Sequence, residues 1–216
     1  DFFNTNSACY VGIADSEWGY AEKEQEVQNA IGNGAVVCIY SNRVNYVLGL
    51  KGPSVSIGQE GASAITAVHM SRLAIEDHWP SGEKKGGHIS TTGIGIGSYF
   101  LLANRTLSLQ TAAGDLNPVG RCFSFDATAL GTARGEGTAG LILKPYTKMV
   151  DGQKAVVETG SPPVGLLCST STNCSAVDAS IRAPHGPALQ EIMCSALEEA
   201  QVSPLDVDCV EVQGEG

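Results

Sequence analysis

The segment that most constrains the fold lies at residues 54–77. Ser54-Val55-Ser56-Ile57 is strand-like, residues 58–62 are a small-residue turn, and residues 63–77 read as a helix. In that helix Ala64, Ile65, Ala67, Val68, Met70, Leu73, Ala74 and Ile75 wrap most of the circumference. A helix apolar nearly all round is expected to be buried rather than laid on a surface. Strand, tight glycine turn and buried helix in immediate succession form the layout of a nucleophile turn. Such an order needs a layered α/β core.

Composition narrows the partners. The chain has 216 residues, 43% of them apolar, so it can bury a sizeable core in one large domain or two small ones. With Lys+Arg at 13 and Asp+Glu at 23, the net charge is -10. A protein this acidic is a poor match for phosphate backbones or anionic membranes, so no nucleic-acid partner is expected. No apolar run approaches the ~20 residues a membrane helix needs. The apolar patches, such as Leu141-Ile142-Leu143, are strand-sized. The seven cysteines, Cys9, Cys38, Cys122, Cys168, Cys174, Cys194 and Cys209, are odd in number and scattered. Only Cys168 and Cys174 are close, and no second pair completes a zinc site. Reduced, mostly buried thiols in an intracellular protein are expected, with no metal and no cofactor.

The rest of the chain reads as alternating short apolar segments and turns. Residues 11–13 and 35–39 are expected to be buried strands or packed apolar segments, and residues 78–88 a loop. Gly93-Ile94-Gly95-Ile96-Gly97 has spaced glycines but lacks the third glycine and the acidic partner of a dinucleotide site. Residues 137–143 read as a buried strand, 148–154 as a charged turn and 164–180 as an irregular loop. Residues 187–200 form the clearest surface helix, with Pro187 at its first position and Leu189, Ile192, Met193, Ala196, Leu197 and Ala200 on one stripe. Residues 207–212 read as a strand, and Gln213-Gly214-Glu215-Gly216 as a glycine turn. The chain opens on Asp1 and closes in that turn, so it is expected to be a processed chain or a piece of a longer protein.

Several segments, taken in order, resemble a β-ketoacyl synthase domain of the fatty-acid and polyketide synthase type. Residues 41–55 are similar to the family segment before its nucleophile, and Ala67-Val68-His69 to the helix after it. Gly120-Arg121-Cys122-Phe123-Ser124-Phe125-Asp126 and Arg134-Gly135-Glu136-Gly137 resemble the next two signatures. Ala183-Pro184-His185-Gly186-Pro187 and Asp206-Val207-Asp208-Cys209-Val210-Glu211 follow in the family's order. The resemblance implies a thiolase-like layered αβαβα fold built from two related halves, usually a homodimer. It implies a single partial domain over residues 1–216, with 1–205 as the first half and 206–216 as the start of the second. Half of such a fold would expose an apolar face larger than a soluble monomer tolerates, so further chain or a partner is expected to cover it.

Two positions depart from the family. Its acyl-carrying Cys falls at Gly61 in the run Gly58-Gln59-Glu60-Gly61-Ala62-Ser63, and no Cys lies between Cys38 and Cys122. Glycine has no side chain, whereas the chemistry needs a thiolate favoured by a helix N-terminus. The His of the family's H-G-T-G motif falls at Gln213, and an amide cannot titrate near neutral pH. Ser63 is a candidate alternative nucleophile, and a serine there would need a base. Gln59, Glu60 and Ala62 are expected to line the pocket. Glu60 is either a helix-entry charge or an occupant of the thiolate's anion site. His69 reads as a hydrogen-bonded core histidine, His78, His88 and His185 as loop residues, and Asp126 as a turn residue. Arg134 and Glu136 read as structural, and Tyr46, Phe123 and Phe125 as core aromatics. The expected function is therefore a catalytically defective synthase-like protein acting by binding or assembly. It would partner an active synthase, or serve as a scaffold subunit in a dimer or larger complex. The alternative is an active synthase or acyltransferase with non-standard groups, served by an acyl carrier protein.

Overall fold

A computed structural model describes residues 3–14, 16–21, 32–76, 90–151, 153–157, 160–175 and 184–214. The expected loop at 78–88, with His78 and His88, lies outside the described residues, as does the end of the 164–180 loop. The chain divides into two compact units, Asp1–Lys144 with Val212–Gly216, and Pro145–Glu211.

The first unit is organised around β1, Ser7–Ile13, whose residues are all buried. A short helical turn α1, Gly32–Ala35, and helix α2, Ile39–Leu48, follow. Helix α2 ends on Gly49, whose φ of 65° places it in the left-handed region that glycine adopts without strain. Next come β2, Ser54–Gly58, a 3-10 turn at Glu60–Ala62, and helix α3, Ser63–Ile75. Strand β3, Thr92–Tyr99, helix α4, Asn104–Ala113, and strand β4, Gly137–Leu143, complete the unit. The sheet order is β2-β1-β3-β4, with β1 parallel to both neighbours and β4 antiparallel to β3.

Because successive strand residues point to opposite faces, β1 builds two cores at once. Cys9, Val11 and Ile13 join Leu50 and Ile94 on the face where Tyr40 and Val44 of α2 pack. Ala8 and Tyr10 meet Ala67 and Ala74 of α3, with Ile57 and Met70 beside them. Full burial of a Val, Leu or Ile side chain stabilises by about 1.5–3 kcal/mol, so the α2 face holds the sheet. The α3 face is held by close approach. A methyl group on Gly12, Gly93, Gly95 or Gly97 would strike α3, at Ser63, Ser71, Val68 and Ala64 respectively. The spaced glycines of β3 are thus a helix-docking stripe.

Four expectations need correction. Residues 35–39 are not a strand: Ala35 closes α1 and Ile39 opens α2. Strand β4 is present but exposed, with Leu141 and Ile142 open to solvent, because it is the sheet's last strand and pairs only with β3 among the described residues. Helix α3 is buried on one side only, and Ile65 remains 68% exposed. Residues 207–212 form no strand, since no described strand pairs with them.

The second unit holds a hairpin of β5, Thr147–Val150, and β6, Gln153–Val156, turning at Asp151. It also holds helix α5, Gly186–Ala200. His185 caps α5, its Nδ1 accepting the Ala188 N–H at 3.3 Å. The irregular segment before α5 is tied to that helix. Ser169 Oγ donates to Ala196 O, and Asn173 Nδ2 to Ala188 O, each at 2.7 Å. The cysteines also differ from expectation: Cys9 is buried, and the other six are exposed free thiols. Scattered apolar context around a Cys does not fix its burial when its element lies on a surface.

Candidate functional site

The site is the turn between β2 and α3 with residues 213–214 beside it, all within the first unit. Strand β2 delivers the chain to Gln59, and Glu60 turns it with a φ of 46°. A positive φ strains any residue but glycine, so the turn is imposed by its surroundings. Ser63 fixes it. Its buried hydroxyl, 2% exposed, accepts the Gln59 N–H and donates to Ile13 O, both at 2.7 Å. Gln59 is held in turn, its Oε1 accepting the Thr66 hydroxyl at 2.6 Å. Glu60, Gly61 and Ala62 are exposed.

Gln213 stands against Gly61. A methyl group on Gly61 would lie 3.0 Å from Gln213 Nε2 and 3.3 Å from its Oε1. That is inside the ~3.5–4.0 Å at which nonbonded heavy atoms are best separated. The exposed carboxamide thus stands at the edge of the space that a side chain at position 61 would enter. Gly214 is held next door: Ser124 Oγ donates to Gly214 O at 2.5 Å, and Cys122 Sγ lies 3.7 Å from the same oxygen. Phe125, at a φ of 62° and 86% exposed, packs against Gly214.

The two positions singled out from sequence, Gly61 and Gln213, are therefore brought together. Gln59 and Ser63 share the turn, but the Ser63 hydroxyl points into the core and both its hydrogen-bonding roles are taken. Cys122 and Ser124 were readable only as part of a motif. Their placement at Gly214 has no local sequence signal beyond a thiol and a hydroxyl two residues apart. Chemically, the arrangement offers amide, hydroxyl and backbone groups for hydrogen bonding. Among the described residues no group of His, Cys, Asp or Glu side chains is placed to hold a metal ion, and no helix is long and apolar enough to cross a membrane.

The surrounding motif residues are tied to neighbouring segments by hydrogen bonds. Asp126 Oδ1 accepts from Thr128 Oγ1 at 2.6 Å and Thr128 N at 2.8 Å. These bonds, the side-chain one foremost, hold its carboxyl below the usual carboxylate range. Arg134 Nε donates to Gln110 Oε1, and Glu136 accepts the Leu101 N–H. Phe123 is half-buried, but Tyr46 at 88% exposed and Phe125 are surface residues, not core aromatics. Tyr46 lies on the side of α2 away from the sheet, where helical spacing alone does not decide burial.

Comparison with known proteins covers nearly the whole chain. The family model described as "Beta-ketoacyl synthase, N-terminal domain" matches residues 2–149, and "Beta-ketoacyl synthase, C-terminal domain" matches residues 164–216. The highly reducing polyketide synthase PKS2 of Leptosphaeria maculans is 30% identical over all of this chain, which spans 8% of that protein. A 6-methylsalicylic acid synthase of Arthrobotrys oligospora is 32% identical over 96% of the chain, which spans 11% of it. Among solved structures, an oxazolomycin ketosynthase domain of Streptomyces albus matches with a TM-score of 0.75 at 21% identity, over 98% of this chain and 34% of that one. A ketosynthase from module 6 of the bacillaene synthase of Bacillus subtilis gives 0.66 at 22% identity, over 94% and 32%. The fold is that of part of a thiolase-like ketosynthase, and this chain spans about a tenth of the two polyketide-type synthases named above.

Proposed function

Because the chain belongs to the β-ketoacyl synthase family, we propose that it is a ketosynthase-type domain segment that no longer carries acyl groups and acts by binding or assembly. The observation that carries this reading is the Gln213 carboxamide standing beside Gly61. Condensation needs a nucleophile to hold the acyl chain, and a group that moves protons or steadies the enolate formed from the donor. Position 61 supplies no atom beyond its backbone. Position 213 supplies an amide, which donates and accepts hydrogen bonds but does not titrate near neutral pH.

Assembly fits the setting. The relatives matched by this chain are large polyketide synthases, of which it spans about a tenth or less. In the first unit Ile65 of α3 and Leu141 and Ile142 of β4 stay exposed, an apolar surface suited to a protein partner. The partner of this reading is an active synthase subunit or the larger complex that contains one. The alternative, a synthase using Ser63, would have to free a hydroxyl already engaged by Ile13 and Gln59.

The test is a condensation assay on the purified chain with acyl and malonyl thioesters, alone and mixed with a competent ketosynthase. The expected result is no new carbon–carbon bond and no released carbon dioxide from the chain alone. Turnover by the chain alone, abolished by Ser63→Ala, would overturn the reading in favour of the alternative.

A further inference from the structure

The sheet has a second feature, on the face opposite α3. From β1 the chain passes to β2 through α1 and α2 on one face, and from β2 to β3 through α3 on the other. Strands β2 and β3 flank β1 and run parallel to it, so the order in which strands are added to the sheet reverses at the β1–β3 seam. In open α/β sheets the crevice beyond the carboxyl ends of the strands at such a reversal is where small molecules bind. Between α2 and the carboxyl-terminal halves of β1 and β3, against Val11, Ile13, Ile96 and Tyr99, there is a cavity of about 670 Å³. That volume lies within the range of small-molecule sites.

Its walls are aromatic and its polar groups are mostly satisfied. Trp18, Tyr40, Tyr99 and Phe100 line it. The one carboxylate in the wall, Glu17, is 2% exposed and fully engaged. It accepts the Leu102 N–H at 2.7 Å, the Ala103 N–H at 3.0 Å and the Tyr99 hydroxyl at 3.4 Å. The hydroxyls of Ser98 and Thr138 bond each other at 2.8 Å. That leaves Arg43 of α2, the cation of the wall, and among the described residues no carboxylate is paired with it. In a chain of net charge -10, this exposed guanidinium at the cavity's wall, unpaired among the described residues, is suited to receive an anion.

We propose that this cavity binds a small carboxylic acid with a flat apolar body, its carboxylate on Arg43 and its body between the aromatic side chains. The proposal is independent of what happens at Gly61. The test is calorimetric titration of the full chain with 4-phenylbutyrate and with 4-phenylbutyramide, an uncharged probe of the same shape. The acid is expected to bind at least about tenfold more tightly than the amide, as a hydrogen bond to a charged group requires. Arg43→Gln should abolish that preference, leaving the amide's affinity unchanged. Thr138→Phe, at the exposed sheet edge, should fill the cavity and remove binding of both, with circular dichroism confirming the fold. If Thr138→Phe does not fold, the acid-to-amide ratio in Arg43→Gln decides alone. No binding of the acid to the unmodified chain, equal affinity for acid and amide, or unchanged binding in a folded Thr138→Phe variant would overturn the proposal.

Discussion

The docking of α3 on the glycine stripe of β3 can be measured with a double-mutant cycle at Gly97 and Ala64. A methyl group added at Gly97 would stand 2.5 Å from Ala64 Cβ and 3.4 Å from Ala64 Cα. Carbon atoms pack at about 3.5–4.0 Å, so the first turn of α3 must lift by about 1 Å. Overpacking of this kind costs about 1–3 kcal/mol. Gly97 does not occupy a left-handed conformation, so alanine also gains about 0.4–1 kcal/mol by restricting the unfolded chain. Gly97→Ala alone should therefore destabilise by about 1–2 kcal/mol. Ala64→Gly alone should cost up to about 1 kcal/mol in helix propensity. With both changes the nearest atom is the Cα at 3.4 Å, close to ordinary contact, and the clash is gone. The double variant should be more stable than the sum of the singles by about 1–2 kcal/mol. Urea unfolding of the full chain, followed by circular dichroism, gives all four corners of the cycle. A neutral Gly97→Ala, or strictly additive effects, would refute the close-docking account.

Three further predictions follow from named contacts. Ser63→Ala strands the buried Ile13 carbonyl and frees the part-buried Gln59 N–H, and should cost about 1–3 kcal/mol in urea unfolding. Burial pushes the Cys9 thiol up from 9.0 to about 11, so the unfolded chain ionises first. The stability from this group is complete below pH 9 and is lost as pH rises through about 11, a slope that Cys9→Ala should remove from alkaline melts. Asp126 is the opposite case, its carboxyl lowered mainly by the Thr128 hydroxyl, so its contribution is present at neutral pH and lost as acid titrates it. Thr128→Val should raise the Asp126 titration midpoint seen by NMR without restoring it fully, because the backbone bond remains.

Local patterns carried well where one element sets its own geometry. The strand–turn–helix of residues 54–75 and the stripe of α5 are periodic, capped or punctuated, and each sits where the sequence places it. Burial was less legible. Gly137–Leu143 is apolar whether or not anything covers it, and the sequence carries no mark of β4 being the last strand. The circumference of α3 is apolar on two sides, but only one meets the sheet. That agrees with a chain spanning about a third of the ketosynthases it superposes on. The alternation of residues 207–212 suits a strand, but a strand needs a neighbour to pair with. The glycines at 93, 95 and 97 were visible as a pattern, but their purpose depends on α3 crossing above them. At the site, motif order named Gly61 and Gln213 separately. Their contact, and the anchoring of Gly214 by Ser124, come from chain folding that no local spacing encodes.

The central claim, that a glycine beside an amide has replaced the acyl-carrying group, is tested most directly by intact-mass measurement after exposure to an acyl thioester, with the adduct mapped by peptide. The account predicts no hydroxylamine-labile acyl group on residues 58–63. A stoichiometric acyl adduct on Ser63, or anywhere in that turn, would contradict it.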